Sequence, residues 1–466
     1  MREAADDFKG LCTDHNMHGK EIDMKKTRTE GRLLKTIPAL MIGLTIAFVA
    51  GSLVYINLGR FTSRRSIDGL EETAGKVADI TIPENTRVYA LGEATHGNAE
   101  FQELKLSVFK KLVEEDNYKV FGIEECFGPG LKIDMYIQGR LEGVTSEDLV
   151  KEMGCTIYHT SDIAAVIDYM KEYNTNVADE EKLHFYGFDM QGLSGYEIDF
   201  LADTVERLTE GSNLRDEMLG YVEAVRAIKA DDFKVTRDNK ETLLSEYNSL
   251  KDFLTEQNTD DDYDINMSIH TLDIAIGLMI YYDKEVEYAD KYNFRDRTMA
   301  ENVKWYDEIL ERKGQRGILV TAHNGHVACY ADDEQVTFGG NLRKLYKDQL
   351  YIVGTEYYYT VDNINDHSYY SYEYTRRNHK FCSTDVVAYQ AKNYDDGAFF
   401  LDYDKVSENT ELYDIISNPN IVGGVGEGYM PDNDFCQDNQ RDKMVMKDCY
   451  DGVVYYYSVN PIEVLD

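Results

Sequence analysis

The sequence predicts an α/β fold: a central, mostly parallel sheet with helices on both sides and a long helical insertion, preceded by an N-terminal transmembrane helix. Three observations predict it. First, three short apolar runs each end in a loop rich in acids or imidazoles. Val88-Tyr89-Ala90-Leu91 leads to Glu93 and His96, Phe121-Gly122-Ile123 to Glu124 and Glu125, and Ile318 to Ala322 to His323 and His326. Second, stretches of helical periodicity separate these runs, as βαβ units require. Third, residues 195–312 keep helical spacing and contain no proline. Open α/β sheets bind ligands at the carboxyl ends of their strands, so the three loops are expected to converge on one cleft.

Composition narrows the function. The chain has 466 residues, 43% of them hydrophobic, enough for a large core. Its net charge of −37 excludes a nucleic-acid binder, which needs clustered Lys and Arg to neutralise phosphates. The 36 tyrosines are expected to pack strands and helices, where Tyr is favoured. None of the seven cysteines forms a C-x-x-C pair, which argues against a zinc ribbon or a thioredoxin motif. Cys436 with Cys449 is the candidate disulfide; the others read as buried thiols.

In chain order, residues 1–36 form a basic tail with Lys25, Lys26, Arg28, Arg32 and Lys35. Ile37 to Leu58 carries no charge. As a helix it would reach roughly 33 Å, enough for a bilayer core. A cleaved signal peptide would have a shorter apolar region and an A-x-A site, which is absent. The segment therefore reads as a signal anchor. The basic tail lies in the cytoplasm by the positive-inside rule. A linker, 59–67, leads to a catalytic domain, 68–466, outside the cytoplasm.

Within that domain Leu70, Ala74 and Val77 suggest a helix over Asp68 to Ile80, ahead of the first strand. Asn98 is a good helix N-cap, and Phe101, Leu104, Val108 and Leu112 mark one buried face of the helix that follows. Lys105 lies beside that face. Lys119 to Glu124 is the second strand, Pro129 to Ile137 a helix, and Thr160 or Ser161 caps another through Tyr173. Leu183 to Phe188 is the third strand, ending at Asp189. In the helical block, Asp260 to Asp264 reads as a solvated loop and Arg295 as the start of a helix through Leu310. Further strands are expected at Ile318 to Ala322, Gln349 to Glu356, Ala398 to Tyr403 and Val453 to Val459.

A set of motifs in fixed order carries a resemblance. These are LGEATHG at 91–97, Glu100-Phe101 with Lys105, FGIEE at 121–125, GFDMQ at 187–191, RDRTMAEN at 295–302 and AHNGHV at 322–327, with YDGVVYYYSVNP at 450–461. Over roughly residues 66–466 the chain resembles the erythromycin esterase family, which includes hydrolases that open a macrolide lactone and so confer antibiotic resistance. The resemblance implies that His96 is the general base, that Glu93 and Glu124 are the site acids, and that His323 and His326 belong to the same cleft. The family's cleft arginine falls at Lys105, a substrate contact by this correspondence. Lysine brings charge there but no planar fork.

Hydrolysis by direct water attack needs a base near neutrality, a group to orient it, and donors for the oxyanion. His96 is the natural base. Glu93 or Glu124 would fix its tautomer, and Lys105, His323 or His326 would face the oxyanion. Strand alternation sends Glu124 and Glu125 to opposite sides, and the resemblance selects Glu124. Arg295 and Asp296 read as a structural ion pair. No G-x-S-x-G elbow is present, and Cys126 sits among acids that raise a thiol's pKa. The expectation is a membrane-anchored or exported hydrolase of a small-molecule ester or lactone, with no cofactor. The alternatives are a metal-dependent hydrolase that holds Zn²⁺ on the same His and Glu residues, or a non-catalytic ligand-binding surface protein of the same fold.

Overall fold

A computed structural model describes residues 41–52, 59–230, 237–259, 261–283, 288–330, 335–368, 371–430 and 437–465. The chain divides into two units, Met1–Leu58 and Gly59–Asp466. In the first, residues 41–52 are helical, with Met41, Leu44 and Phe48 exposed. Among the described residues no helix is long and apolar enough to cross a membrane. The rest of the expected span, 37–40 and 53–58, lies outside them.

The second unit is built on one sheet. Its strands are β1 (Val88–Glu93), β2 (Val120–Cys126), β3 (His184–Asp189), β4 (Ile318–His323), β5 (Leu350–Ser368), β6 (Ser371–Cys382), β7 (Ala398–Asp402), β9 (Gly428–Tyr429) and β11 (Gly452–Val459); β8 (Asn420–Gly423) and β10 (Arg441–Met444) form a separate antiparallel pair. The main order is β3-β2-β4-β1-β5-β11-β7. All neighbours on this path are parallel except β11 and β7. The chain runs from β1 out to β2 and β3, then returns to insert β4 between β2 and β1. That return places Glu93 directly opposite His323 in register.

Alternation along each strand separates two cores. Val88, Ala90, Ile318 and Val320 point to one face, where they meet helices Gly195–Leu208, Arg215–Ala230, Arg237–Gln257, Tyr263–Tyr281 and Tyr288–Arg312. Tyr89, Leu91, Phe121 and Leu319 point to the other, where they meet helices Ala99–Asp116 and Ser161–Thr175. Tyrosines fill much of both cores: Tyr89, Tyr118, Tyr158, Tyr186, Tyr357 and Tyr455 are fully buried.

Several local expectations change. Residues 68–76 form no helix. Gly69 sits at φ 87°, and the Gly75 backbone exchanges two 2.9 Å hydrogen bonds with Phe400, capping the sheet edge. The Asn98 side chain does not cap the helix it precedes; it bonds Thr360 Oγ1 (2.9 Å) and the carbonyls of Val361 and Asn460 (both 3.0 Å). The helix expected to start at Arg295 starts at Tyr288, and Asp262 caps the helix that begins inside the expected acidic loop. Strand β5 runs far past Glu356, because its later half is paired by β6. Cys449 is a buried free thiol, while its expected partner Cys436 lies outside the described residues.

Candidate active site

The exit of β1 is shaped by a close approach. A β-carbon at Gly92 would fall 2.1 Å from Asn324 Oδ1, so only glycine leaves room for Asn324. The Asn324 amide donates to the Thr355 carbonyl (2.7 Å), and Thr355 Oγ1 donates to the Gly92 carbonyl (3.1 Å) while accepting from Ala94 N (2.9 Å). These bonds lock the β1, β4 and β5 exits together.

On this frame Glu93 and His96 meet. His96 Nδ1 lies 2.6 Å from Glu93 Oε1. The other carboxylate oxygen takes Lys105 Nζ at 2.5 Å and Gln102 Nε2 at 3.4 Å. Lys105 is 1% exposed. Its ammonium also donates to Gln102 Oε1 (2.9 Å) and lies over the Tyr158 ring. Lys105, expected as a substrate contact, has its ammonium turned inward, onto Glu93. Burial opposes ionisation of Glu93, but Lys105 and His96 outweigh it and hold the carboxyl at about 2. Burial also works against the charged His96 ring. The Glu93 bond and the fields of Glu93, Glu124 and Glu427 prevail, and its pKa rises above the ordinary value.

The ring centroids of His96 and His323 are 4.8 Å apart. His323 Nδ1 accepts from the Gly325 N–H (3.1 Å), which leaves the proton on Nε2. That Nε2 is buried and has no hydrogen-bond partner among the described residues. Burial and the neighbouring His96 bring the His323 pKa down to about 4, so its ring is neutral.

Glu124 lies behind both. It accepts the His323 backbone N–H (3.0 Å) and the Arg295 guanidinium (2.7 Å). Burial would raise its pKa, yet His326 and Arg295 hold it below the usual carboxylate range. Glu125 is buried apart from the cleft and accepts the backbone N–H groups of Cys126 (2.7 Å) and Cys155 (3.0 Å). Arg295 grips Asp189 with Nε (3.0 Å) and Nη2 (2.7 Å), and its Nη1 lies 3.0 Å from His326 Nε2. His326 Nδ1 meets Asp296 Oδ1 at 2.7 Å. Burial disfavours the charged His326 ring, but Glu124 and Asp296 raise its pKa overall.

The expected Arg295–Asp296 pair is not formed. Successive helical residues point about 100° apart, and Arg295 turns to Asp189 and Glu124 while Asp296 turns to His326. Arg295 and Asp296 thus reach Glu124 and His326 instead of each other, and Asp189, at the end of the third strand, holds Arg295. The one signal for them was their presence in the RDRTMAEN and GFDMQ motifs. Cys126 is no nucleophile candidate, since burial, Asp189 and Glu125 push its thiol well up. Among the described residues no group of three or more His, Cys, Asp or Glu is placed to hold a metal ion.

The fold and cleft define an α/β protein with a His/Glu site at its strand ends. The family model of erythromycin esterase matches residues 113–459, and the chain belongs to that hydrolase family. The match begins within the helix that follows the His96 loop. Two curated relatives are the putative hydrolase YbfO of Bacillus subtilis, 27% identical over 262 residues, and erythromycin esterase type II of Escherichia coli, 23% identical over 266 residues. Each alignment covers 52% of this chain, and 56% and 61% of the respective relative. Among solved structures, a succinoglycan biosynthesis protein superposes with a TM-score of 0.69 at 17% identity, over 85% of this chain and 97% of its own. An erythromycin esterase mutant in its open conformation gives 0.55 at 14% identity, over 84% and 99%. At these identities the solved structures establish the fold alone.

Proposed function

We propose that this chain hydrolyses a carboxylic ester or macrolactone by direct attack of water. One observation carries the reading: Glu93 engages His96 Nδ1 at 2.6 Å and leaves Nε2 free, beside a neutral His323 whose Nε2–H has no partner. Glu93 accepts the Nδ1 proton, so Nε2 is the base. Water gives its proton to His96 Nε2 as its oxygen adds to the ester carbonyl. The carbonyl oxygen becomes an oxyanion and takes a hydrogen bond from His323 Nε2–H. The tetrahedral species collapses, the C–O bond breaks, and His96 returns the proton to the departing alkoxide. The products are an acid and an alcohol. Lys105 acts through Glu93 as a positioning residue. Glu124 holds the His323 backbone in place, and His326 buttresses Glu124 through Arg295.

The apolar run Ile37 to Leu58 supports a single-pass membrane anchor with this unit outside the cytoplasm. Protease treatment of intact cells tests it: digestion from outside is expected, and full protection would overturn it.

The activity test is mass spectrometry of macrolides and simple esters incubated with the protein, with and without a strong chelator. A gain of one water, insensitive to the chelator and abolished in His96→Ala, is expected. Activity lost to the chelator and restored by Zn²⁺ would replace the metal-free mechanism. A ligand that raises Tm without turnover would support a binding protein instead.

A further inference from the structure

The strand ends make one side of the cleft. Beside the His323 ring runs a strap, Gly423-Gly424-Val425-Gly426-Glu427-Gly428. Val425 is fully buried and anchors it. A β-carbon at Gly426 would lie 3.9 Å from His323 Nε2, so the strap backbone runs against that ring. Its last residues join the sheet as β9, beside β5. Glu427 is pinned on one side only. Its Oε1 accepts from Asn365 Nδ2 (2.7 Å) and from Arg376, and its carbonyl accepts the Asn365 N–H (2.9 Å). Arg376 Nε also holds Asn363 Oδ1 (3.0 Å), and the Asn363 N–H donates to the Gly97 carbonyl (3.0 Å), next to His96. The strap and the His96 loop thus hang from the same stretch of β5.

Glu427 Oε2 is buried and has no hydrogen-bond partner among the described residues. Glu427 directly follows Gly426, which approaches the His323 ring, and Arg376 ties it through Asn363 to Gly97, next to His96. With Oε1 held by Asn365 and Arg376, Oε2 is an acceptor without a donor among the described residues. Leaving it so costs free energy, which a substrate donor would recover.

We propose that Glu427 is a specificity residue: its Oε2 accepts a hydrogen bond from an O–H or N–H on the substrate near the scissile ester, so that donor-bearing esters are selected over donor-less isosteres. The inference rests on the hydrolase reading above and adds a substrate feature to it.

The test uses the full-length protein and three matched amides of one aromatic acid, 2-hydroxyethyl, 2-ammonioethyl and propyl, which bind without being cleaved as esters are. Calorimetry is expected to show at least about tenfold tighter binding of a donor-bearing amide than of the propyl amide. Whichever donor arm binds more tightly identifies hydroxyl or ammonium as the group read. In Glu427→Gln, Oε1 can still serve Arg376 while an NH2 donor replaces Oε2, and the preference is expected to fall to within about twofold. Equal affinities in the wild-type protein overturn the proposal, whether or not the variant folds. So does an undiminished preference in a folded Glu427→Gln. Cleavage of the matching esters is scored separately. Parity with cleavage sinks only the role of Glu427, and preference without cleavage sinks only the hydrolase reading.

Discussion

His323 and His326 leave the same short segment three residues apart, and they end in opposite states. His323 faces the cleft beside His96, has one nitrogen fixed by Gly325, and keeps a proton on an unpartnered Nε2. His326 has both nitrogens engaged, one by Asp296 and one by Arg295. Burial dominates the first and holds it neutral; two carboxylates outweigh burial at the second. Spacing did not separate them. What separates them is the partner each ring meets: Gly426 of the strap on one side, and the helix Tyr288–Arg312 on the other. One histidine is left with a donor to offer. The other is part of the wall.

The largest test breaks the wall. Arg295→Met would leave Glu124 and Asp189 buried without their shared cation. Unfolding free energy in denaturant is expected to fall by about 3–5 kcal/mol. A loss under 1 kcal/mol would show that these carboxylates do not depend on Arg295. The next test sharpens the cleft side. His323→Ala removes the proposed oxyanion donor, and kcat should drop about 10²–10³-fold while stability changes little. His326→Gln keeps an acceptor for Arg295 and a donor for Asp296, so kcat should fall less than tenfold. If His326→Gln is as damaging as His323→Ala, the division between the two histidines fails.

Proton linkage tests the same division through pH. His323 has a folded-state pKa of about 4, against about 6.5 when unfolded. The unfolded chain therefore binds its proton first. Stability from this residue is complete above pH 6.5 and is lost as pH falls from there towards 4. His323→Ala should remove that slope, as urea titrations at several pH values would show. His96 is shifted the other way. It must be neutral to act as a base, so the acid limb of kcat/KM should lie above pH 6.5. Glu93→Gln removes an anion that favours imidazolium, and the limb should move to lower pH. No movement would mean that another group sets the profile.

Much of the frame was legible in the chain. The runs before Glu93, Glu124 and His323 read as strands because they are short, apolar and stopped by glycine or polar residues. Phe101, Leu104, Val108 and Leu112 marked the buried side of their helix, and all four are buried. Other readings failed where distant contacts overrode local pattern. Leu70, Ala74 and Val77 keep helical spacing, yet Gly75 pairs with Phe400 across the sequence. Lys105 was expected to touch substrate because the resemblance sets it where the family has a cleft arginine; Glu93 draws its ammonium inside. Nothing local in residues 423–428 says that these glycines pass beside His323.

By itself the sequence determined the strands that carry the site and which chemical groups stand at their ends, because periodicity, turn residues and side-chain chemistry are local properties. Tertiary structure decided that β4 enters between β2 and β1, that Arg295 serves Glu124 and Asp189, and which histidine keeps a free proton. Those outcomes depend on burial and on the charges that chain crossings bring within a few ångströms. Desolvation and pairing act on each titratable group through neighbours far away in sequence, so the protonation pattern of the cleft is a property of the fold.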